Sequence, residues 1–258
     1  MKIEQNSLRT NRMKTPFIDI QPFFSWCLSP DDMEEQKQFC VEINREGGET
    51  VWSSDWREGA DNSIEVPDTC ALEACTQYRW RLKVLGQNGG ADSAEAAFST
   101  GKRGTPWKGI WITGAECTKP DEVKQAVYVR RAFCASKPRR AVLYIAGLGY
   151  FQASINGRRV GDDYLSTAYT AYDKRVLYRA YDVTELVEEG ENAIGVVLGN
   201  GFYNCFTKDP WQTATAPWRA VPKLLCELQL DGPDGREVIA SDARWDSVPG
   251  PIQFNGIR

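Results

Sequence analysis

The segment FQASINGRRVG, residues 151–161, decides the fold. Its apolar residues Phe151, Ala153 and Ile155 alternate with polar ones, which is the period-two pattern of a strand with one buried face. Asn156-Gly157 follows directly. Both residues tolerate the positive φ that the two central positions of a type I′ turn require. We therefore expect a β-hairpin here, with RRVG as the start of the return strand.

Strand patterns continue on both sides of this hairpin. QYRWRLKVLG places Tyr78, Trp80, Leu82 and Val84 on one face and basic residues on the other. Similar runs are QKQFCVEINREGG, TVWSSDW and EAAFSTG in the first half, and QAVYVRRAFCA, RRAVLYIAGLGYFQASI, ENAIGVVLG, KLLCELQL and REVIAS in the second. Several short strands without a long helical period predict an all-β chain.

One short helix interrupts this pattern. Asp182 is suited to cap VTELVEE, with Glu185 three residues later completing a capping box. Gly190 then supplies a left-handed residue after the helix. The Gly/Pro-rich, charged stretch GKRGTPWKG marks a domain boundary. We therefore expect two tandem β-sandwiches, the second of which contains the helix.

Composition excludes several functions. The 258 residues carry a net charge of −4, which argues against a nucleic-acid-binding face. Histidine is absent, which excludes Ser-His-Asp and Cys-His triads and zinc sites that need imidazole. No apolar run approaches the ~20 residues of a membrane span, and the N-terminus lacks the apolar core of a secretory leader. We expect a cytoplasmic protein with no nucleic-acid or membrane partner, whose eight cysteines are free, buried thiols.

Two glycine pairs resemble the start of a nucleotide-binding loop. They are Gly147-Leu-Gly149 and Gly199-Asn-Gly201. The dinucleotide fingerprint needs a third glycine at the mouth of a helix, but Gln152 and Asn204 occupy that position and no helical pattern follows. We expect these glycines to bend strands or to admit a close approach of two backbones.

Residues 151–204 resemble the N-terminal β-sandwich module of bacterial α-L-rhamnosidases, glycoside hydrolase family 78. The motifs that carry the resemblance are, in order, Asn156-Gly157, Val160-Gly161, Tyr172 to Arg175, Tyr181 to Thr184, Gly190 with Asn192 to Val196, and Gly199 to Tyr203. Upstream, FFSWCL, VWSSDW, YRWRLKV, FSTG and WKGIWI are similar to the fibronectin-III-like domain and linker that precede this module. The resemblance implies a fibronectin-III-like or immunoglobulin-like sandwich over residues 1–101, a linker over 102–108 and a jelly-roll-like sandwich over 109–258.

The resemblance also implies a function. In this family a later (α/α)6 barrel carries the acidic residues that hydrolyse terminal α-L-rhamnosides with inversion. No carboxylate of this chain matches those catalytic positions, so we expect the chain alone to be inactive. Its implied partners are the catalytic domain of the same polypeptide, whose absence would expose an apolar face, and rhamnose-containing glycans. A free-standing rhamnose-binding protein and a structural or adhesion module are the alternatives.

The candidate carbohydrate-binding residues are Asp173, Asn200, Tyr203, Asn204 and Trp211. The two asparagines and Asp173 would gather if the corner at Gly199 to Tyr203 folds as it does in the family. Asp173 and Asn200 are also the candidate calcium ligands, because calcium binds carboxylate and amide oxygens. No other cofactor is expected. Trp211 is suited either to stacking on a sugar face or to covering a domain interface.

Three further positions bear on this site. Tyr169 and Phe202 stand where the family commonly has Trp, and these departures concern sugar contacts rather than the fold. Asp162-Asp163 follows the predicted hairpin. We predict that the pair lies in a solvated turn, with a calcium site as the alternative. Trp218, in the same Pro-flanked segment as Trp211, is a second candidate for stacking on a sugar.

Overall fold

The computed structural model describes residues 1–30, 34–115, 117, 119–123, 125–206 and 212–256. The chain divides into two compact units, Met1–Pro106 and Trp107–Arg258. Both units are built from β-strands, which confirms the predicted all-β class. The helical elements of the described residues are three short 3-10 turns, Gln5–Ser7, Thr184–Leu186 and Thr213–Thr215. Over the same residues, no helix is long and apolar enough to cross a membrane.

The first unit contains two sheets. Its strands are β1 (Arg9–Thr10), β2 (Phe17–Ile18), β3 (Phe23–Ser25), β4 (Gln36–Arg45), β5 (Thr50–Ser53), β6 (Arg57–Glu58), β7 (Ser63–Glu65), β8 (Gln77–Gly86) and β9 (Ala91–Thr100). One sheet has the order β1-β3-β7, and the other has the order β2-β9-β8-β4-β5, with β6 paired to β4. Strand β2 is parallel to β9, whereas β4, β8 and β9 pair antiparallel.

The core of the first unit follows the alternation of β8. Tyr78, Trp80, Leu82 and Val84 are at most 1% exposed, and the arginines between them are exposed. The Trp80 ring stacks on Phe24 of β3, with 4.4 Å between the ring centroids. Because β3 and β8 belong to different sheets, this contact joins the two layers.

The second unit also contains two sheets. Its strands are β10 (Val127–Ala135), β11 (Arg140–Leu148), β12 (Tyr150–Ile155), β13 (Arg158–Arg159), β14 (Arg179–Asp182), β15 (Gly190–Gly199), β16 (Lys223–Gly232), β17 (Gly235–Ala240) and β18 (Asp246–Pro249). The sheet orders are β13-β12-β15-β10-β18 and β14-β11-β16-β17, and the pairings are antiparallel. Every residue of β11 is buried, and apolar side chains from β10, β11, β12, β15 and β16 form one core.

The chain passes from one sheet to the other at Gly149. This residue has a φ of 100° and separates β11 from β12. A Cβ on Gly149 would lie 2.3 Å from the carbonyl oxygen of Gly199. A Cβ on Gly201 would lie 3.1 Å from Tyr150. The two Gly-x-Gly sequences therefore admit a close approach of two backbones, as predicted, and the two backbones that approach are their own.

The hairpin at residues 151–161 is confirmed. Asn156 and Gly157 have φ values of 52° and 76°, and β12 pairs with β13 through Ser154 and Ile155. The Asn156 side chain also reaches beyond the turn. Its Nδ2 donates to the Leu186 carbonyl at 3.0 Å and to Asn192 Oδ1 at 2.8 Å, and its Oδ1 accepts from the Ala193 N–H at 2.9 Å.

The predicted helix after Asp182 is a single 3-10 turn instead, at Thr184–Leu186. Val183 precedes the turn, and its N–H is bonded to the Ala141 carbonyl, so pairing with the sheet keeps the chain extended through Asp182. Asp182 accepts from Thr184 N–H at 3.0 Å, but it does not form the predicted capping box with Glu185, because the helical segment is one turn long. Gly190, with a φ of 90°, does take the predicted positive φ, at the start of β15.

Among the described residues, none of the eight cysteines forms a disulfide. Six are buried, and burial raises the pKa of the Cys70 and Cys226 thiols. Cys27 and Cys134 are exposed, which differs from the prediction of buried thiols. Cys134 faces outward because it follows the inward-facing Phe133 by one position along β10.

We predict that Gly149→Ala destabilises the chain more than Gly235→Ala does. Both glycines have a positive φ, 100° and 113°, so both variants lose about 1 kcal/mol or more from backbone strain. A Cβ at Gly235 meets nothing within 4 Å, whereas one at Gly149 meets the Gly199 carbonyl. Overpacking should cost Gly149→Ala about 1–3 kcal/mol in addition. Urea titration measures both losses, and equal losses would contradict the steric explanation.

We also predict a graded effect at Asn156. Asn156→Gly keeps the positive φ but removes the side-chain bonds to Leu186, Asn192 and Ala193, at a cost of about 1–3 kcal/mol. Asn156→Ala removes the same bonds and strains the turn, which should cost about 1–2 kcal/mol more. The free energies of unfolding of both variants test this order. If Asn156→Ala were as stable as Asn156→Gly, the turn would not depend on the φ tolerance of this residue.

Candidate functional site

The candidate site lies where β15 ends. Residues 199–204, called the Gly199 corner below, turn back after this strand. Gly201 has a φ of 52°, and the Asn204 N–H donates to the Asn200 carbonyl at 3.1 Å. The corner thus places Asn200 and Asn204 side by side and orients Phe202 and Tyr203 toward neighbouring aromatic residues.

The side chains of Asn200 and Asn204 are buried and bonded to each other. Asn204 Nδ2 donates to Asn200 Oδ1 at 2.8 Å and to the Pro120 carbonyl at 3.0 Å. Asn200 Nδ2 donates to the Val123 carbonyl at 2.6 Å. The pair is at most 1% exposed, so its amides fasten the segment before β10 to the corner. The structure brings these two candidates together, but away from solvent.

Tyr203 belongs to a cluster of rings. It meets Tyr172 edge-on at 5.2 Å and stacks on Trp218 at 6.1 Å. Tyr172 also contacts Trp218 at 5.0 Å. Tyr172 and Tyr203 are buried, and burial raises the pKa of Tyr172 to about 12. Burial also raises the pKa of the Tyr203 phenol.

The two positions that depart from the family pattern contact each other at the edge of this cluster. The rings of Tyr169 and Phe202 are 5.2 Å apart, and Tyr169 is also 5.6 Å from Tyr172 and 6.2 Å from Trp218. Tyr169 is 52% exposed. It presents the most accessible ring of the cluster to solvent.

Asp173 is exposed at the turn that follows Tyr172. Asn200 Oδ1, the proposed second calcium ligand, already accepts from Asn204. Within the described ranges, no group of three or more Cys, Asp or Glu side chains is placed to hold a metal ion. The side chain of Asn200 is thus buried and engaged while Asp173 is exposed, and calcium binding by these two residues stays a prediction. Trp211 lies outside the described residues, and sugar binding by the five candidates stays a prediction.

A cavity of about 500 Å³ lies beside the Gly199 corner. It is called the corner cavity below. Its walls are mainly apolar and include Tyr150, Tyr164, Leu165, Phe202 and Ile252. Its volume is within the range of small-molecule and side-chain pockets, and its walls favour apolar groups.

Asp163 is the charged residue of the cavity wall, and the sequence-based interpretation of a solvated turn is wrong for it. Its Oδ2 accepts from Tyr181 Oη at 2.8 Å and lies 3.1 Å from Arg179 Nε. Ser166 Oγ lies 3.4 Å from the same oxygen, and the Arg159 guanidinium donates to the Asp163 carbonyl. Burial and the bond to Asp163 raise the pKa of Tyr181 to about 12.

These contacts fasten the loop that carries Tyr164 and Leu165. Tyr164 is 78% exposed and Leu165 is 67% exposed. The Arg159 guanidinium lies 3.9 Å from the centre of the Tyr164 ring. Since the Asp163 carboxylate is already engaged by Arg179 and Tyr181, the arrangement is suited to binding an apolar surface rather than to proton transfer.

Comparison with known proteins gives two family matches in tandem. Residues 5–104 match "Rha78A-like, N-terminal immunoglobulin domain", and residues 136–257 match "Alpha-L-rhamnosidase N-terminal domain". An α-L-rhamnosidase of Formosa agariphila is 30% identical over 92% of this chain, which is 28% of the relative. One from Streptomyces avermitilis is 40% identical over 45% of this chain and 11% of the relative.

Two solved structures have the same fold over nearly the whole chain. The α-L-rhamnosidase from Dictyoglumus thermophilum has a TM-score of 0.82 at 29% identity, over 99% of this chain and 30% of the other. The enzyme from Aspergillus terreus has a TM-score of 0.83 at 25% identity, with the same coverage. The chain thus spans less than a third of the length of these relatives, and the two tandem matches together with these homologues support an N-terminal region of a glycoside hydrolase family 78 rhamnosidase.

Proposed function

We propose that this chain is the non-catalytic N-terminal part of an enzyme that hydrolyses terminal α-L-rhamnosides. The observation that carries the proposal is the pair of N-terminal family matches in tandem, within relatives that are more than three times as long. In this role the two units support the catalytic domain of the same polypeptide. The free-standing sugar-binding and adhesion alternatives are not favoured, because the relatives are rhamnosidases.

The chemistry of the corner cavity agrees with a non-catalytic role. Inverting hydrolysis requires an acid and a base whose carboxyl groups are about 6.5–9.5 Å apart on opposite sides of the scissile bond. Among the described residues that line the cavity, Asp163 carries the carboxylate, and Arg179 and Tyr181 engage it. Its polar contacts hold a loop in place, and the described lining residues include no second carboxylate that could act as its partner.

We predict that the purified 258-residue chain does not release the chromophore from a chromogenic α-L-rhamnoside. The full-length protein, expressed from the reading frame that contains this chain, should release it. Turnover by the chain alone would contradict the non-catalytic role. An inactive but folded full-length protein would contradict the proposed parent activity.

A second candidate role is the capture of substrate glycans by the aromatic cluster. Tyr169 favours this role, because its ring is 52% exposed and is held by edge contacts with Tyr172, Phe202 and Trp218. An aromatic ring fixed in this way stacks on the apolar face of a sugar at small entropic cost. Trp218 provides a fluorescent reporter within the same cluster.

We predict millimolar binding of L-rhamnose, detected by tryptophan fluorescence or NMR titration. Tyr169→Ala should weaken it about 2- to 10-fold, the equivalent of one aromatic contact. Tyr164→Ala, which removes an exposed ring outside the cluster, is the matched control and should bind as the unmodified chain does. Chelation of calcium should leave the affinity unchanged, because the side chain of Asn200 is buried and its Oδ1 already accepts from Asn204. Absence of binding, or equal effects of the two variants, would contradict this role.

A further inference from the structure

The rim of the corner cavity is apolar and open to solvent. Leu165 is 67% exposed on one side, and Ile252 is 47% exposed on the other. Tyr164, which is 78% exposed, extends the first side. Single exposed apolar residues are common on protein surfaces, but a contiguous exposed apolar patch marks an interaction site.

The first side of the cavity is held in a fixed position. Asp163 fastens the loop through Tyr181 at 2.8 Å and Arg179 at 3.1 Å. Leu165 therefore lies on a loop that polar contacts hold in place, and its side chain is exposed. A partner that docks on this rim therefore meets a surface that is already ordered, which lowers the entropic cost of binding.

The second side of the cavity is the last described segment of the chain. The Gly250 N–H donates to the Ala126 carbonyl at 2.7 Å, and the Ala126 N–H donates to the Ile252 carbonyl at 3.0 Å. Farther along, Asn255 Oδ1 accepts from the Asn200 N–H. These bonds lead the polypeptide along the cavity wall until residue 256. Any segment that follows begins beside the cavity.

We propose that the corner cavity is the docking site for apolar side chains from the polypeptide that follows this chain in the full-length enzyme. This inference rests on the proposed function. The relatives extend for more than twice the length of this chain beyond the matched part, since the match covers 28% of a relative. The continuation therefore has both the length and the starting point to cover the rim, and it is favoured over a second copy or a free ligand.

The test compares full-length protein with the 258-residue chain by hydrogen exchange and by thermal unfolding. Amides of residues 163–166 and 250–254 should exchange at least about tenfold more slowly in the full-length protein. Leu165→Asn removes the apolar side chain and keeps its φ of 55°, because asparagine tolerates this region. Together with Ile252→Ser, it should lower the unfolding midpoint of the full-length protein by several degrees and leave that of the chain alone nearly unchanged.

Ile110→Ser is the matched control. Ile110 belongs to the same unit and is 59% exposed, but it does not line the cavity. This variant should not lower the unfolding midpoint of the full-length protein. Unchanged exchange at the rim of an active full-length rhamnosidase would overturn the docking inference while the proposed function stands.

Two further outcomes concern a second copy of the chain at the cavity rim and the activity of the full-length protein. Concentration-dependent protection of the rim in the chain alone would show that a second copy covers it, and would overturn the inference. A full-length protein without rhamnosidase activity would reject the proposed function itself.

Discussion

The second unit depends on one close approach, between the backbone of Gly149 and the carbonyl of Gly199. A side chain at Gly149 would lie 2.3 Å from that oxygen, so the chain can pass from the four-stranded to the five-stranded sheet within one residue only if that residue is glycine. The contact also brings the start of β12 beside the end of β15. The paired strands then fix where the chain turns, and thereby the position of the Gly199 corner.

The Gly199 corner has two sides with different contacts. On its inner side, the side-chain amides of Asn200 and Asn204 donate hydrogen bonds to the carbonyls of Val123 and Pro120. These bonds explain why the best candidates for sugar contacts are buried, since unpaired carbonyls at that depth would be costly. On its outer side, Phe202 contributes both to the aromatic cluster and to the corner cavity. One turn therefore supports both surfaces, and a disturbance at Gly149 would reach each of them.

Features that depend on neighbouring residues could be predicted from the sequence. The alternation of β8 and the Asn156-Gly157 turn are set within a few residues, and both are confirmed. The helix after Asp182 could not be excluded locally, because the bond from Val183 to Ala141 is contributed by a strand about 40 residues earlier. The role of Asp163 could not be predicted for the same reason. Its partners Arg179 and Tyr181 lie on a later strand, and no sequence motif links them to it. The cavity itself is lined by residues from five parts of the chain, and a periodic pattern within one segment cannot predict a cavity that distant segments form together.

The contact between Tyr169 and Phe202 has a consequence for how this family varies. The two rings lie 5.2 Å apart, and the family resemblance implies tryptophan at both positions. A change in ring size at one position alters the space that is left for the other, so the two side chains constrain each other although they are 33 positions apart in the sequence. We expect these positions to co-vary among homologous modules, with paired exchanges tolerated better than single ones. Co-variation between the two positions would then indicate their contact in space, which neither residue indicates by itself.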